Sequence, residues 1–248
     1  STVLAILKNT TATAFTADNF NPNFPTDGSP ATAQTITGTA LADTLIGGFG
    51  DDTIDGLGGN DVIDGQAGSD VIRGGDGNDS IEGNFGNDSL YGDAGDDTIS
   101  DDQGSNILDG GSGNDNLTSR SLSGDHSLIG GSGNDQLNAT GLVLDLDGGT
   151  GNDRLRINGR LEVGGSTQYV QGGQATLKGG SGEDNLRAEY YSTAELRGGA
   201  DNDYLNASSV KDAVLYGDGG DDNLDAYIYG SRTQQTDGNY RLPQSAYL

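Results

Sequence analysis

Between Gly47 and Thr118 a carboxylate returns on a nine-residue step: Asp52, Asp61, Asp70, Asp79, Asp88, Asp97 and, after Asn106 breaks the series, Asp115. Each stands sixth in a nonapeptide whose first, second and fourth places are mostly glycine. Glycine there permits positive φ and lets the backbone fold tightly with its carbonyl oxygens turned inward. A short carboxylate joining such carbonyls makes an all-oxygen donor set for a hard cation. Calcium suits it, accepting roughly 6 to 8 oxygens at about 2.3 to 2.6 Å in flexible geometry, whereas magnesium demands a stricter octahedron. Two acids about 5 to 10 Å apart can also hydrolyse a glycosidic bond. Because these acids recur at the repeat period, ligands or solvated charges explain them better. No His-Glu-x-x-His motif, nucleophile elbow or phosphate loop is present, so no enzyme is expected.

The elements that must position these groups are read from the rest of the repeat. The copies run GGFGDDTID, GLGGNDVID, GQAGSDVIR, GGDGNDSIE, GNFGNDSLY, GDAGDDTIS, DDQGSNILD and GGSGNDNLT, with a weaker copy, GTALADTLI, ahead of them at Gly38. Further copies start at Gly130, Gly148, Gly179, Gly198 and Gly217. The eighth residue is Leu or Ile throughout. One large apolar residue between small or polar ones predicts a very short strand with a single inward side chain. A flexible Gly/Asp-rich linker would not keep that position apolar.

The sequence resembles the RTX (repeats-in-toxin) family of secreted bacterial calcium-binding proteins, whose nonapeptides are a known calcium-binding β-helix pattern. The resemblance implies an all-β parallel β-roll. Six residues of each repeat turn, three form a strand, two repeats complete a coil, and calcium ions lie between equivalent turns of successive coils. Carried over position by position, one edge would present Asp43, Asp61, Asp79, Asp97, Asp115, Asp135, Asp153, Asp184, Asp203 and Asp222, and the opposite edge Asp52, Asp70 and Asp88. Asn106 keeps an oxygen there but loses the charge. The first copy has Thr39 and Leu41 in glycine places, and the turn at Gly198 has Asp201 in its fourth place.

Beyond Thr118 the turn starts drift to 18–20 residues apart, which reads as the same roll losing its calcium turns on one edge. Leu128, Leu146, Leu177, Leu196 and Leu215 each lie two residues before the next glycine turn, where a missing repeat's eighth residue would fall. Plain turns are expected near Ser119 to Asp125, Ala188 to Thr193 and Ala207 to Asp212. The 31 residues from Gly148 to Gly179 predict an insertion or irregular coil within Ile157 to Lys178. The expected organisation is therefore an N-terminal strand, cap and linker over 1–37, a regular roll over 38–118, a wider roll with calcium turns on one edge over 119–225, and a Tyr-rich cap over 226–248.

The formal charge is −26, with 38 Asp plus Glu against 12 Lys plus Arg. Such a polyanion cannot supply the cation-to-phosphate contacts of nucleic-acid binding and is repelled by anionic membranes. Only 31% of residues are hydrophobic and there is no cysteine, so neither a thick core nor a disulfide framework is available. The apolar stretch Thr2 to Leu7 is too short to span a membrane, and the absence of Met suggests a processed start. One or two large apolar residues per half-coil bury too little to offset about 1 to 2 kcal/mol of backbone entropy per residue. The chain is thus expected to be disordered without metal and to fold on binding about 8 to 11 calcium ions, so that binding energy becomes folding energy. A calcium-rich exterior would switch folding on.

Thr2 to Leu7 and Ala12 to Ala17 read as strands and Asn21 to Pro30 as a linker, together forming a cap or an arm that reaches a neighbouring molecule. Nine of ten tyrosines lie from Tyr169 onward, which suits a decorated face, an interface or contact with cell-surface carbohydrate. His126, the one histidine, reads as a surface residue. Two functional classes follow. The favoured one is a secreted structural protein that forms a homo-oligomer, filament or surface layer, because segments flank the repeats and no space is left for a catalytic domain. The other is a calcium-binding module of a longer secreted enzyme, toxin or adhesin.

Overall fold

The computed structural model describes residues 32–121, 124–163 and 165–228. All regular structure within them is β-strand. Strands alternate between two ten-stranded parallel sheets, one running from Thr35–Thr37 to Asp212–Gly219 and the other from Thr44–Phe49 to Asn223–Ile228. Each strand pairs with the equivalent strand of the coil before it, so the chain winds as a solenoid, the expected parallel β-roll.

Register follows the eighth residue of the repeat. Ile54 pairs with Ile72, Ile72 with Leu90 and Leu90 with Leu108. The same column continues through Leu128, Leu146, Leu177, Leu196 and Leu215, the leucines expected to stand in for missing repeats. Side chains alternate across a strand, and the short strand Thr53–Asp55 shows the result: Ile54 is buried while Thr53 is exposed. The second sheet contributes a facing column from Leu45 through Ile81 and Leu117 to Leu224. Up to Leu117 the core is these two columns alone. Beyond it a further set is buried with them, including Leu144, Ile157, Ala188, Tyr191 and Ala207.

The insertion is a hairpin, Arg160–Val163 antiparallel to Ser166–Tyr169. It is narrower than the expected Ile157 to Lys178 span, because Ile157 still pairs with Ala188 and Lys178 with Asp147 inside the roll. Tyr191 lies beside it as a core residue, its hydroxyl donating to the Gly141 carbonyl and accepting from the Gly141 N–H, both at 3.2 Å. The sequence offered Tyr as a surface decoration; this one fills the coil interior. The strands expected at Thr2 to Leu7 and Ala12 to Ala17, the linker to Pro30, and the tail from Tyr229 lie outside the described residues. No described helix is long and apolar enough to cross a membrane.

Candidate metal centre

The sixth-position aspartates form two hydrogen-bonded columns. On the first edge the backbone N–H of each donates to Oδ1 of the next: Asp43 to Asp61 at 2.8 Å, Asp61 to Asp79 at 2.7 Å, Asp79 to Asp97 at 2.7 Å and Asp97 to Asp115 at 2.8 Å. The column runs on through Asp135, Asp153, Asp184 and Asp203 to Asp222. On the opposite edge Gln34 N–H donates to Asp52, Asp52 to Asp70, Asp70 to Asp88 and Asp88 to Asn106. One oxygen per carboxylate is thereby used.

The other is not. Oδ2 of Asp52, Asp61, Asp70, Asp79, Asp88, Asp97, Asp115, Asp135, Asp153, Asp184, Asp203 and Asp222 is buried and has no hydrogen-bond partner. A buried acceptor without a partner costs about 1 to 3 kcal/mol, more when charged, so a column of them calls for a cation. Asp43 differs, since its Oδ2 accepts from the Thr39 N–H at 2.6 Å and hydroxyl at 2.9 Å, and the residue is only half-buried.

Glycine in the first place of the turn shows what Oδ2 faces. A methyl group at Gly47 would lie 2.7 Å from Asp52 Oδ2 and 2.7 Å from the Gly65 carbonyl oxygen of the next coil. One at Gly65 would lie 2.5 Å from Asp70 Oδ2 and 3.1 Å from the Gly83 carbonyl. These glycines border a space on which a carboxylate from one turn and a carbonyl from the next converge. They do not use the left-handed backbone expected of them; positions two and four do, as at Gly48 (φ +112°) and Gly50 (φ +124°), and even at Leu57 (+71°) and Asp201 (+77°). First-position glycine is required for room. Among the described residues no three acidic or imidazole side chains gather at one point, so the donor set is mixed carboxylate and carbonyl, which is calcium-like chemistry.

The electrostatics agree. Burial, opposed by the backbone N–H bond and reinforced by the carboxylates of neighbouring coils, pushes Asp70, Asp97 and Asp184 up to about 7. The same causes push Asp61, Asp115, Asp153 and Asp203 to about 6.

Beyond Asp88 the opposite edge changes character. Its sixth-position column continues Asn106, His126, Leu144, Ala175, Ala194 and Ala213. Its first-position column runs Asp101, Ser119, Ala139, Ile157, Ala188 and Ala207. Polar lining gives way to apolar within two coils. His126 is therefore not the expected surface residue: it is 3% exposed, with Ser119 Oγ 3.0 Å from its Nδ1. It inherits the inward sixth position, and burial lowers its pKa.

A second ladder on the outer side of the turns has no counterpart in the sequence reading. Fifth-position N–H groups donate back to the preceding coil's side chain, as from Asn78 to Asn60 Oδ1 at 3.0 Å, Asp96 to Asn78 at 3.1 Å and Asn152 to Asn134 at 2.7 Å. Its signal was the recurrence of Asp, Asn, Ser or Glu in the fifth place of every nonapeptide after the first.

The model of the RTX calcium-binding nonapeptide repeat matches residues 37–72, 64–99, 82–117, 122–141 and 195–212. The chain belongs to the RTX calcium-binding repeat family. RTX nonapeptides bind calcium, and the buried, unpartnered Asp series with facing carbonyls fits that ion. No curated protein matches the chain.

Proposed function

We propose that this RTX roll is a structural element that folds when calcium fills the gaps between its turns. The buried, unpartnered Oδ2 atoms carry the reading. Asp61, Asp79, Asp97, Asp115, Asp135, Asp153, Asp184 and Asp203 on one edge, and Asp52 and Asp70 on the other, would each hold an ion together with the carbonyl of the next coil, and Asp88 would hold one in the last acidic gap of that edge. Asp43 and Asp222 would close the first column at its ends. Neighbouring strands are about 4.8 Å apart, so two such charges repel by roughly 3 to 4 kcal/mol at an effective dielectric of 20. Divalent ions turn that repulsion into attraction. About 8 to 11 of them carry about +16 to +22, close to the magnitude of the formal charge of −26.

Such a device suits passage from a calcium-poor cytosol to a calcium-rich exterior, where affinities of about 10⁻⁴ to 10⁻³ M suffice. The working place is then extracellular, as a secreted rod or filament or as a surface layer. Circular dichroism combined with sedimentation during a calcium titration tests folding and association together. Sheet signal should rise with calcium and fall sharply in EGTA at neutral pH. A sheet signal undiminished after exhaustive EGTA dialysis refutes the folding role, and monomers at every calcium concentration refute assembly.

A further inference from the structure

The last acidic gap on the opposite edge is built differently from those before it. Gly47, Gly65 and Gly83 hold the first place of successive turns, and the fourth place in that column is Asp101. Gly47 and Gly65 each face one carboxylate oxygen and one carbonyl oxygen. Gly83 instead faces two carboxylates: a methyl group there would lie 2.8 Å from Asp88 Oδ2 and would collide with Asp101 Oδ2. Asp88 and Asp101 are both 1% exposed, and neither Oδ2 has a hydrogen-bond partner other than the facing carboxyl. Asp101 Oδ1 is fixed by the Gln103 N–H at 3.0 Å, so the free oxygen is held in the gap. Past it the lining becomes Asn106, Ser119 and His126 and then apolar, so this gap ends the column.

We propose that Asp88 and Asp101 form a dicarboxylate calcium site, a repeat gap in which a second carboxylate joins the sixth-position aspartate, that terminates the opposite edge and binds tighter than any other gap of that edge. Two carboxylates balance the charge of one divalent ion, where each preceding gap supplies one. Affinity in all-oxygen sites rises with the number of charged ligands, and one added carboxylate is expected to be worth on the order of tenfold. The proposal rests on the calcium reading of the repeats.

Native mass spectrometry of the full chain across a buffered calcium series counts ions directly. Asp101→Gly restores the residue of the three preceding turns. It should keep the ion number at saturating calcium, while an ion that the unaltered chain still retains at low free calcium dissociates at about tenfold higher concentration. Asp101→Asn keeps the shape and removes the charge, covering the case in which the glycine variant folds poorly; it should lose the same ion. Ion-number distributions that superimpose on those of the unaltered chain overturn the proposal, as does tighter calcium binding by the Asn variant, which would mean that the two acids share a proton. If the unaltered chain binds no calcium at all, the general reading falls with it.

Discussion

Two adjacent glycines serve different physical ends, and exchanging each for alanine separates ion binding from backbone strain. Gly47 takes no left-handed φ, but a methyl group there would sit 2.7 Å from Asp52 Oδ2 and 2.7 Å from Gly65 O. Ordinary contact lies beyond about 3.4 Å, so Gly47→Ala fills the gap and pushes on both oxygens that line it, while every ligand residue is kept. Gly48 has φ +112°, and a methyl group there meets nothing closer than Gln34 Nε2 at 3.6 Å. The same place holds Leu57 at +71° and Gln66 at +73° in later coils, so Gly48→Ala is accommodated at a cost of about 1 to 2 kcal/mol. An ion bound only by the folded state contributes about 2.7 kcal/mol at a hundredfold excess over its dissociation constant and about 1.4 kcal/mol more for each further tenfold. Urea unfolding at several calcium concentrations reads both effects. Gly47→Ala should lower the dependence of stability on calcium by about 1.4 kcal/mol per decade, so that its deficit widens as calcium rises. Gly48→Ala should run parallel to the unaltered chain. A Gly47→Ala variant with unchanged calcium dependence refutes the claim that this space holds an ion.

Chelation should act unevenly along the chain. Hydrogen exchange in EGTA is expected to release the strands before Thr118 first, while the coils around Leu144, Ile157, Ala188 and Ala207, which add buried apolar residues, stay protected longer; uniform release contradicts this. In the metal-free chain the raised carboxyls at Asp70, Asp97 and Asp184 mean that the folded form binds more protons than the unfolded between the ordinary carboxylate range and about 7. Stability without calcium must therefore fall as pH rises through that window. After calcium is stripped with EGTA at neutral pH and the chain is exchanged into calcium-free buffers, more sheet signal at about pH 5 than at about pH 7.5 is the expected result, and equal signals count against it. Leu108→Ala should cost about 2 to 5 kcal/mol in calcium, whereas Ile107→Ala, at a 43% exposed neighbour, should stay within about 0.5 kcal/mol. Chemical denaturation of the two variants side by side decides it.

What could be read from the sequence was whatever the nonapeptide repeats. The eighth-position residues are all inward because one apolar residue in three can point only one way in a strand. The sixth-position acids converge because equivalent residues of a roll stack. Reading failed where the period slips. Taking Leu128 as an eighth residue already counts His126 into the sixth place, but without the glycines of a nonapeptide before it the segment read as a plain turn and the histidine as a surface residue. Asp101 was hidden by breaking the glycine pattern, and an acid in an acidic chain reads as solvated charge. The fifth-position ladder was missed for the same reason: its Asn, Asp and Ser residues look like turn composition until the coils are stacked.

The opposite edge shows two solutions to one problem. Every coil must fill the space between its turn and the next, and the filling must cohere without a thick core. In the first coils the filling is carboxylate against carbonyl, which coheres only through a cation; in the later ones it is Leu144, Ala175, Ala194 and Ala213 facing Ala139, Ile157, Ala188 and Ala207, which coheres by excluding water. A direct junction would press a buried carboxylate against apolar side chains with nothing to share its charge. Asp101 with Asn106, then Ser119 with His126, step the polarity down over two coils, so that no charged gap abuts a greasy one. The first edge keeps its acids throughout, from Asp61 to Asp222. On the proposed function calcium would be needed along the whole length, with the second half leaning on it from one side only, which is the physical basis for the uneven response expected on chelation.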